Sequence, residues 1–429
     1  MAASNLQDAP KIADLDRCVH CGLCLNNCPT YRENGLEMDS PRGRIYQMVQ
    51  VVTGKAEINP SYVEHLDLCL ACRGCETACP SGVQYGRLIE AARAHIEANV
   101  ERPWHVRFLR NLVFNGILPS RTALKFAGTG LYVYQASGLQ KLVRASGLLK
   151  LMGSLGRAEQ ISPNAEMPTF YRYYGKVFQP VGQKRYKVAV LGGCMANVFF
   201  ARLNEATVRV LQQNGCEVHV PGDQTCCGAL HVHSGLKKSA QELAKQNIDA
   251  LLAGGYDAII TNAAGCGSTL KEYHELLGDD PAYAAKAHEF VSKMKDVTEF
   301  LSGIELNRDM KPLSYTVTYQ DSCHLAHGQK IKAAPRVLLR SVPGLTFKEM
   351  PMADLCCGSA GIYNVVQNEM AMAVLSKKMQ YVNAVNPDVI VTANPGCMLQ
   401  LRAGAKIHGK GQPVKHVVEV LDEAYRGQP

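Results

Sequence analysis

Residues 18–29 read CVHCGLCLNNCP, with four cysteines at offsets of three, three and four before Pro29. Residues 69–80, CLACRGCETACP, repeat the same spacing and again end in Cys-Pro. Thiolates bind zinc as well as iron-sulfur clusters, so the residue type alone leaves both open. Zinc ribbons use separated pairs of cysteines, whereas four cysteines within eleven residues followed by proline are typical of bacterial two-cluster ferredoxins. The spacing therefore favours two [4Fe-4S] clusters over a structural zinc.

The ferredoxin spacing also predicts which cysteines bind each cluster. In such proteins the first three cysteines of a run hold one cluster, and the fourth reaches across to the other. The predicted ligands of the first cluster are Cys18, Cys21, Cys24 and Cys79. Those of the second cluster are Cys28, Cys69, Cys72 and Cys75. Two clusters that share the runs in this way lie close together and form a short path for electrons.

The residues around both runs predict helices. Ser40 is a good N-cap, Pro41 suits the first helical position and Gly54 is a natural stop, so one short helix joins the two cysteine loops. A second, amphipathic helix is predicted from apolar residues at helical spacing, namely Leu88, Ile89, Ala92, Ile96 and Val100. Arg42 and Arg44 either compensate cluster charge or are solvated surface residues.

The C-terminal half contains an internal repeat. The first unit has its cysteines in KVAVLGGC, TCCG and NAAGCG, and the second in YTVTYQDSC, LCCG and ANPGC. The candidate ligands are Cys194, Cys226, Cys227 and Cys266 in the first unit, and Cys323, Cys356, Cys357 and Cys397 in the second. Matching cysteines are 129, 130, 130 and 131 residues apart, which indicates a duplication.

Each repeated unit alternates β-rich and helical segments, which predicts a parallel α/β layer. Ligands of such sheets bind beyond the carboxyl ends of the strands, where these cysteines fall. One interpretation is that the eight cysteines are small buried side chains. Matching Cys-Cys-Gly segments favour a further cluster, because packing alone accepts Val or Ala equally well. Gly228 and Gly358 are expected to let the backbone approach that cluster closely.

The remaining candidates carry weaker signals. Cys216 has no counterpart in the other unit and is expected to be a plain core residue. Four histidines lie near cysteines, and such residues more often support a site through hydrogen bonds than bind metal directly; they are His231, His233, His324 and His327. GTGLYV at residue 128 lacks a third glycine and a preceding strand, so no FAD or NAD site is predicted in this chain. No nucleic-acid partner is predicted.

Length and composition are those of a globular protein. The 429 residues predict about three domains. The N-terminus lacks the apolar segment of a signal peptide, and no uninterrupted apolar run approaches the roughly 18 residues of a membrane span. A cytoplasmic location is therefore expected. In that reducing compartment, 17 cysteines favour metal binding or redox chemistry over disulfides.

Residues 102–158 contain nine Lys or Arg and no Asp or Glu, more than the net charge of +8 for the whole chain. The bases alternate with apolar residues at helical spacing, as in FLRNLVF. This pattern predicts amphipathic helices on an anionic membrane surface, where each base contributes roughly 1 kcal/mol. The alternative is a helical linker packed on the ferredoxin domain or on a partner. We expect peripheral contact with the cytoplasmic face of the inner membrane.

Several motifs together resemble one family. They are the two cysteine runs, PRGRIYQM between them, CPTY, HLDLCLACRGCETACPSGV, and the CCG segments with CCGSAG and TANPGC. Over nearly the whole chain, and least from 103 to 185, the sequence closely resembles the iron-sulfur subunit of bacterial glycolate oxidase. The resemblance implies a complex with FAD-binding subunits that oxidise glycolate to glyoxylate. In such a complex this chain passes the electrons onward to the quinone pool.

More distant relatives with CCG repeats are iron-sulfur subunits of lactate oxidation and of anaerobic glycerol-3-phosphate dehydrogenase, and heterodisulfide reductase. In the last, each unit ends in C-x2-C, whereas Ala263 and Asn394 replace the first cysteine here. This departure argues against its five-cysteine, non-cubane cluster. We therefore expect an electron-transfer subunit with no substrate site or catalytic residue of its own. The alternatives are a disulfide reductase, a subunit serving lactate or glycerol 3-phosphate, and a scaffold with vestigial CCG cysteines.

The predicted fold class is mixed, with an all-α two-cluster ferredoxin-like domain followed by a duplicated α/β domain. Residues 1–102 form the ferredoxin-type domain and 103–185 a basic helical connector. Residues 186–310 form CCG repeat 1 and 311–429 form CCG repeat 2. The two repeats are expected to face each other.

Overall fold

The computed structural model describes residues 8–427 apart from 148, 150–155, 157–158 and 160–162. It contains an all-α N-terminal region, a helical connector and two α/β units, which confirms the predicted fold class. None of the described helices is long and apolar enough to cross a membrane.

Residues 8–102, all of which the structure describes, contain helices and no strand. The α-helices are α1 (Ile12–Leu15), α2 (Pro29–Asn34), α3 (Pro41–Val52), α4 (Pro60–Asp67), α5 (Gly74–Thr77) and α6 (Tyr85–Asn99). Ser40 Oγ accepts a hydrogen bond of 3.0 Å from Gly43 N at the start of α3, and Pro41 lies in its first turn. Past its end, Gly54 has a φ of +71°. The predicted helix between the two cysteine loops is confirmed.

The core of the N-terminal domain lies between α3, α4 and α6. The predicted apolar face of α6 is buried at Leu88, Ile89, Ala92 and Ile96. Val100 is the C-cap, one residue after the helix ends. Cys69 and Cys75 belong to the same buried cluster. The helices thus hold a cysteine loop against their common apolar core.

The connector is helical in its first part, with α7 (Trp104–Asn111), a π-helical turn (Leu112–Ile117), α8 (Arg121–Ala136) and α9 (Leu139–Ala145). Phe114, Leu118 and Leu124 are buried. A Cβ at Gly128 would lie 2.4 Å from Val198 Cγ1, so α8 packs directly on CCG repeat 1. One face of the connector is therefore an internal packing face. The predicted basic segment extends to residue 158, and its last part lies largely outside the described residues.

CCG repeat 1 is built on a five-stranded sheet of order β1-β3-β2-β4-β5. Its strands are β1 (Lys176–Phe178), β2 (Tyr186–Val190), β3 (Cys216–Val220), β4 (Ala258–Thr261) and β5 (Met294–Asp296). β1 pairs antiparallel with β3, and the other pairs are parallel. The predicted boundary at residue 186 leaves β1 in the connector, because a three-residue, mostly exposed strand has no recognisable hydrophobic pattern.

The helices of CCG repeat 1 cover both faces of its sheet. They are α10 (Ala196–Phe199), α11 (Ala201–Gln213), α12 (Ala229–His233), α13 (Lys237–Leu252), α14 (Ala264–Lys271), α15 (Tyr273–Leu276), α16 (Ala284–Lys293) and α17 (Val297–Ser302). Apolar residues of β2 and β4 are fully buried between these layers. Such continuous burial is typical of strands in parallel sheets.

CCG repeat 2 is built on a four-stranded, fully parallel sheet of order β7-β6-β8-β9. Its strands are β6 (Thr316–Tyr319), β7 (Thr346–Phe347), β8 (Val389–Thr392) and β9 (Val414–His416). Its helices are α18 (Ala333–Arg340), α19 (Tyr363–Val366), α20 (Asn368–Val385), α21 (Pro395–His408) and α22 (Val417–Arg426). The order β7-β6-β8-β9 matches the order β3-β2-β4-β5 in CCG repeat 1, which agrees with a duplication.

The two repeats pack against each other through α11 and α22. Arg209 forms a bidentate ion pair with Asp422, with Nε–Oδ1 and Nη2–Oδ2 distances of 2.8 and 2.7 Å. The buried cluster around Val188 and Val317 is continuous across both sheets. The repeats therefore share one core.

Candidate metal centres

The first predicted ligand set is the more open of the two in the ferredoxin-type domain. Cys21 is exposed, and Cys18, Cys24 and Cys79 are partly buried. Burial raises the pKa of Cys18, and the nearby thiols of Cys79 and Cys21 raise it further. Burial also raises the pKa of Cys24 to about 11. Cys79 of the second run thus lies beside the first run, as the crossed arrangement requires; the ligand assignment itself stays a prediction.

The second predicted set is buried throughout. Burial raises the pKa of Cys75, to which the neighbouring thiols of Cys69 and Cys28 contribute. Cys69 Sγ accepts hydrogen bonds from Ala71 N at 3.4 Å and from the Tyr85 hydroxyl at 3.7 Å. These donors suit a thiolate, because hydrogen bonds to ligand sulfur tune iron-sulfur centres.

Arg44 is a buried residue of this second site and not a surface residue. Its side chain is 1% exposed and forms an ion pair of 3.3 Å with Asp39. Burial lowers the pKa of Arg44, but its interactions with Cys69, Tyr85, Cys28 and Asp39 outweigh burial, so the pKa is raised overall. Arg42, in contrast, is partly exposed and pairs with Glu37 at 2.6 Å. The charge-compensating interpretation therefore fits Arg44 better than Arg42.

In CCG repeat 1 the four cysteines meet at the carboxyl ends of the strands. Cys194 follows β2, Cys226 and Cys227 follow β3, and Cys266 lies in the first turn of α14 after β4. Cys194 Sγ and Cys226 Sγ are 3.5 Å apart. Cys227 lies beside the thiols of Cys226 and Cys266. The four thiols therefore lie next to one another, and together they form the thiol series of CCG repeat 1.

In CCG repeat 2 the corresponding thiols form a similar series. Cys323 and Cys357 lie beside Cys356, and Cys397 lies beside Cys357. A fifth thiol joins them, because Cys72 of the ferredoxin-type domain packs with Cys356 in one buried cluster. Interactions with the neighbouring thiols lower the pKa of Cys356. The sequence did not indicate this contact between domains.

The glycines after the paired cysteines lie beside packed helices, and the expected close approach to a cluster stays a prediction. Gly228 and Gly358 both have positive φ, 78° and 90°. A Cβ at Gly358 would lie 2.4 Å from Ala371 O, and one at Gly228 would lie 3.5 Å from Ala240 Cα. The close neighbours are thus helix backbone atoms. Glycine here permits a left-handed turn beside a packed helix.

The charged surroundings of the two repeats differ. Lys378 on α20 is 1% exposed and donates to Met352 O and Ala353 O at 2.8 and 3.1 Å. Burial lowers its pKa to about 8, although the Cys357 and Cys356 thiolates oppose this shift. A buried cation therefore lies beside the thiols of CCG repeat 2.

The matching backbone of CCG repeat 1 is held by neutral groups. Asn247 Nδ2 donates to Cys226 O at 2.9 Å, and the Tyr273 hydroxyl donates to Cys227 O at 2.9 Å. Asn247 corresponds to Lys378, because each lies seven residues after the alanine that faces the CCG glycine, Ala240 or Ala371. The two repeats thus share their cysteines, but the groups that hold the nearby backbone are neutral in CCG repeat 1 and include a lysine in CCG repeat 2.

The four histidines all make hydrogen bonds that join segments of the chain. Nε2 of His231 lies 2.7 Å from Phe114 O of the connector. The other three contact the ferredoxin-type domain: His233 Nδ1 with Glu90 Oε1 at 3.0 Å, His324 Nε2 with Ala71 O at 3.0 Å, and His327 Nδ1 with Thr77 Oγ1 at 2.7 Å. Burial lowers the pKa of His233 to about 3 and that of His324 to about 4. These contacts match the expected supporting role.

Arg73 is a further residue of this junction that the sequence did not single out. It is buried, pairs with Glu76 at 3.0 Å and donates to Ser268 Oγ at 3.3 Å. It also forms an ion pair with Glu272, whose pKa burial raises to about 7. Its position between Cys72 and Cys75 is the one signal that could have directed attention to it.

The chemistry of the donor sets fits iron-sulfur clusters. Each set consists of cysteines, and main-chain N–H groups reach the sulfur of Cys69 and Cys356 at 3.4 Å. A cluster spans several atoms, so its ligands stand farther apart than those of one ion. No three His, Cys, Asp or Glu side chains within the described parts of the chain are placed to hold a single metal ion. Because burial raises the pKa of several of these thiols, metal binding releases protons.

Comparison with protein families defines the class. Residues 14–83 match the 4Fe-4S dicluster domain, and residues 188–271 and 317–402 match the cysteine-rich domain, CCG. Residues 105–162 match the linker region of the glycolate oxidase iron-sulfur subunit. The chain is an iron-sulfur protein with a two-cluster domain and two CCG domains.

Individual relatives narrow this class. The chain is 43% identical over 419 residues to the probable glycolate oxidase iron-sulfur subunit of Bacillus subtilis (strain 168), covering 96% of this chain and 94% of that one. It is 33% identical over 420 residues, with the same coverage, to the glycolate oxidase iron-sulfur subunit of Escherichia coli (strain K12). The chain belongs to the family of glycolate oxidase iron-sulfur subunits.

One solved structure shares the fold. The crystal structure of a hypothetical protein from Helicobacter pylori matches with a TM-score of 0.53 at 9% identity, over 92% of this chain and 69% of that chain. At this identity the likeness concerns the fold alone.

Proposed function

We propose that this chain is the electron-transfer subunit of a membrane-associated, flavin-dependent glycolate oxidase complex. It receives electrons from the FAD of partner subunits and passes them toward quinone. The proposal rests on the contacts between the cysteine sets of the three domains. Cys72 of the ferredoxin-type domain contacts Cys356 of CCG repeat 2. Asn394 of CCG repeat 2 accepts a hydrogen bond from Gly265 of CCG repeat 1. Bound iron-sulfur clusters supply one-electron redox chemistry. The cysteines that would hold these groups are mostly buried, which would shield the groups from water.

The surface around Cys21 suits entry of electrons from the FAD-bearing partner. Cys21 belongs to the most open ligand set, and Val19 and Leu23 on either side are 68% and 59% exposed. Arg42 fixes the loop, because its Nη1 donates to His20 O at 3.0 Å. Exposed apolar residues beside a redox site favour a protein contact there.

This proposal is tested with the anaerobically purified full chain and the FAD-containing subunits of its complex. Glycolate should bleach the visible iron-sulfur absorbance when both are present, and should not do so with this chain alone. Reduction by glycolate without the flavoprotein would contradict a relay role. No reduction with the flavoprotein, or faster reduction with lactate than with glycolate, would contradict the glycolate assignment.

Docking near Cys21 is tested with a double variant, Val19→Glu and Leu23→Glu. It should reduce the rate of glycolate-dependent bleaching at least tenfold while iron content stays unchanged. Val337→Glu, at an exposed valine on α18, is the matched control and should retain the rate. Equal rates for all three proteins would place the partner elsewhere.

The outer face of the connector suits peripheral contact with an anionic membrane. Trp104 and Phe126 are 75% and 76% exposed, and Phe108 and Leu142 are also exposed. Arg107 and Lys141 are exposed near them in sequence, while other connector bases pair with acids, as Arg110 and Arg102 do with Glu97. Exposed aromatic and apolar residues with bases are typical of interfacial helices. The inner face of the connector packs near Cys194, so the membrane would lie beside CCG repeat 1.

Vesicle flotation tests the membrane contact. The full chain should float with anionic vesicles and less so in high salt, because bases contribute through the surface potential. Trp104→Ser with Phe126→Ser should reduce flotation, whereas Val337→Ser with Ile407→Ser, at exposed positions of CCG repeat 2, should not. Equal flotation of both double variants would contradict contact through the connector.

A further inference from the structure

Asn394 lies between the thiols of the two CCG repeats. Its Nδ2 donates to Cys397 Sγ at 3.4 Å, and its Oδ1 accepts from Gly265 N at 3.3 Å. Gly265 immediately precedes Cys266 of CCG repeat 1. One side chain thus contacts a thiol of one repeat and the backbone next to a thiol of the other.

The orientation of this amide follows from its neighbours. A backbone N–H can only donate, so the Gly265 N–H must face the amide oxygen. The amide NH2 group of Asn394 then faces Cys397 Sγ. The side chain therefore serves as a donor toward CCG repeat 2 and as an acceptor toward CCG repeat 1.

CCG repeat 1 has no equivalent of the Asn394 amide. Ala263 occupies the place that corresponds to Asn394 and has no side-chain donor. Cys397 is buried, while Cys266 is only partly buried. The amide thus distinguishes two otherwise matching cysteine sets.

We propose that Asn394 is a positioning residue that raises the reduction potential of the iron-sulfur group of CCG repeat 2 and holds the two cysteine sets in contact. The inference rests on the proposed function, because it requires that CCG repeat 2 bind such a group. Hydrogen bonds to ligand sulfur stabilise the more negative, reduced form. Because this hydrogen bond is stronger in the reduced form than in the oxidised form, its loss should shift the reduction equilibrium about tenfold.

The test is an anaerobic redox titration of the cluster-loaded full chain, followed by electron paramagnetic resonance. Cys397→Ser, which removes the thiol that Asn394 contacts, and Cys356→Ser together identify the signal of CCG repeat 2 as the one that both variants lose. Asn394→Ala should shift its reduction equilibrium about tenfold toward the oxidised form, which is about 59 mV for a one-electron couple. Asn394→Asp keeps an acceptor for Gly265 but removes the donor and adds negative charge, so its shift should be larger.

Asn364→Ala is the matched control. Asn364 belongs to the same repeat, and its side chain donates to Gln400 Oε1 at 3.1 Å; its substitution should leave the potential unchanged. Unchanged potentials in both Asn394 variants, or an equal shift in Asn364→Ala, would overturn this inference alone. If the unsubstituted chain has no signal that depends on both Cys356 and Cys397, the inference fails together with the proposed cluster in CCG repeat 2.

Discussion

CCG repeat 1 and CCG repeat 2 share a sheet order and four matching cysteines, but the groups around their thiols differ. The thiols of CCG repeat 2 contact Cys72 of the ferredoxin-type domain and lie near the buried Lys378. Those of CCG repeat 1 have the neutral Asn247 at the position of the lysine, and Cys194 packs near the connector. Duplication has thus kept the cysteines and changed the charge around them, so we expect the two sites to differ in their redox properties.

The largest expected effect comes from removing the central thiol of each series. Cys356→Ser should lose the iron held by CCG repeat 2 and also alter the resonance signal of the ferredoxin-type cluster that Cys72 serves, because Cys356 contacts Cys72. Cys226→Ser should lose only the iron held by CCG repeat 1. Iron analysis and electron paramagnetic resonance of both variants measure this. Identical spectra of the ferredoxin-type clusters in the two variants would contradict a contact that only CCG repeat 2 makes with this domain.

A smaller effect is expected from the buried cation. With a pKa of about 8, Lys378 is mostly protonated at pH 7, and a charge at short range in an effective dielectric of about 20 contributes on the order of 2 kcal/mol. Lys378→Met should therefore disfavour reduction of the group in CCG repeat 2 by roughly thirtyfold and leave CCG repeat 1 unchanged. Lys377→Met, at the partly exposed neighbour that pairs with Glu33, is the control. A redox titration that shows the same shift in both variants would contradict this role.

The smallest expected effects concern how two helix caps, one in each repeat, make the free energy of unfolding depend on pH. Asp296 and His416 cap equivalent helices, α17 and α22, in the two repeats. Burial raises the pKa of Asp296 to about 6, so the folded state binds the carboxyl proton more tightly than the unfolded state does. The stability that this proton contributes is therefore lost as pH rises from about 4 to 6. Burial lowers the pKa of His416 from 6.5 to about 4, so its contribution is lost as pH falls through that range.

Asn variants of these two caps should therefore show opposite trends in the free energy of unfolding. Relative to the unsubstituted chain, Asp296→Asn should gain about 1.5 kcal/mol more at pH 7 than at pH 5. His416→Asn should gain about 1.5 kcal/mol more at pH 5 than at pH 7. Urea unfolding at the two pH values measures both. Trends of the same sign would contradict the assigned protonation states.

Much of this fold could be predicted because its signals are local. The cap at Ser40 and the apolar spacing of α6 depend on neighbouring residues, and the cysteine spacing reports on ligands within one loop. The same holds for the alternating segments that predicted two α/β units. Short β1 carries too few residues for a pattern, and its pairing with β3 is decided by tertiary packing.

The parts of the site that sequence reasoning missed depend on how domains dock. Cys72 and Cys356 are 284 positions apart in the chain, and nothing in either motif indicates their contact. Lys377 and Lys378 are adjacent and chemically identical, yet one is partly exposed and the other buried. Helix phase decides between them, and a phase error of one residue exchanges their roles.

The most direct test of the central claim is the iron and acid-labile sulfide content of the anaerobically purified full chain. Two [4Fe-4S] clusters in the ferredoxin-type domain account for about eight of each per chain. We expect more than this, because the cysteines of the CCG repeats are proposed to hold iron-sulfur groups as well. Iron and sulfide at or below about eight per chain would contradict that claim, and zinc without labile sulfide would contradict both kinds of site.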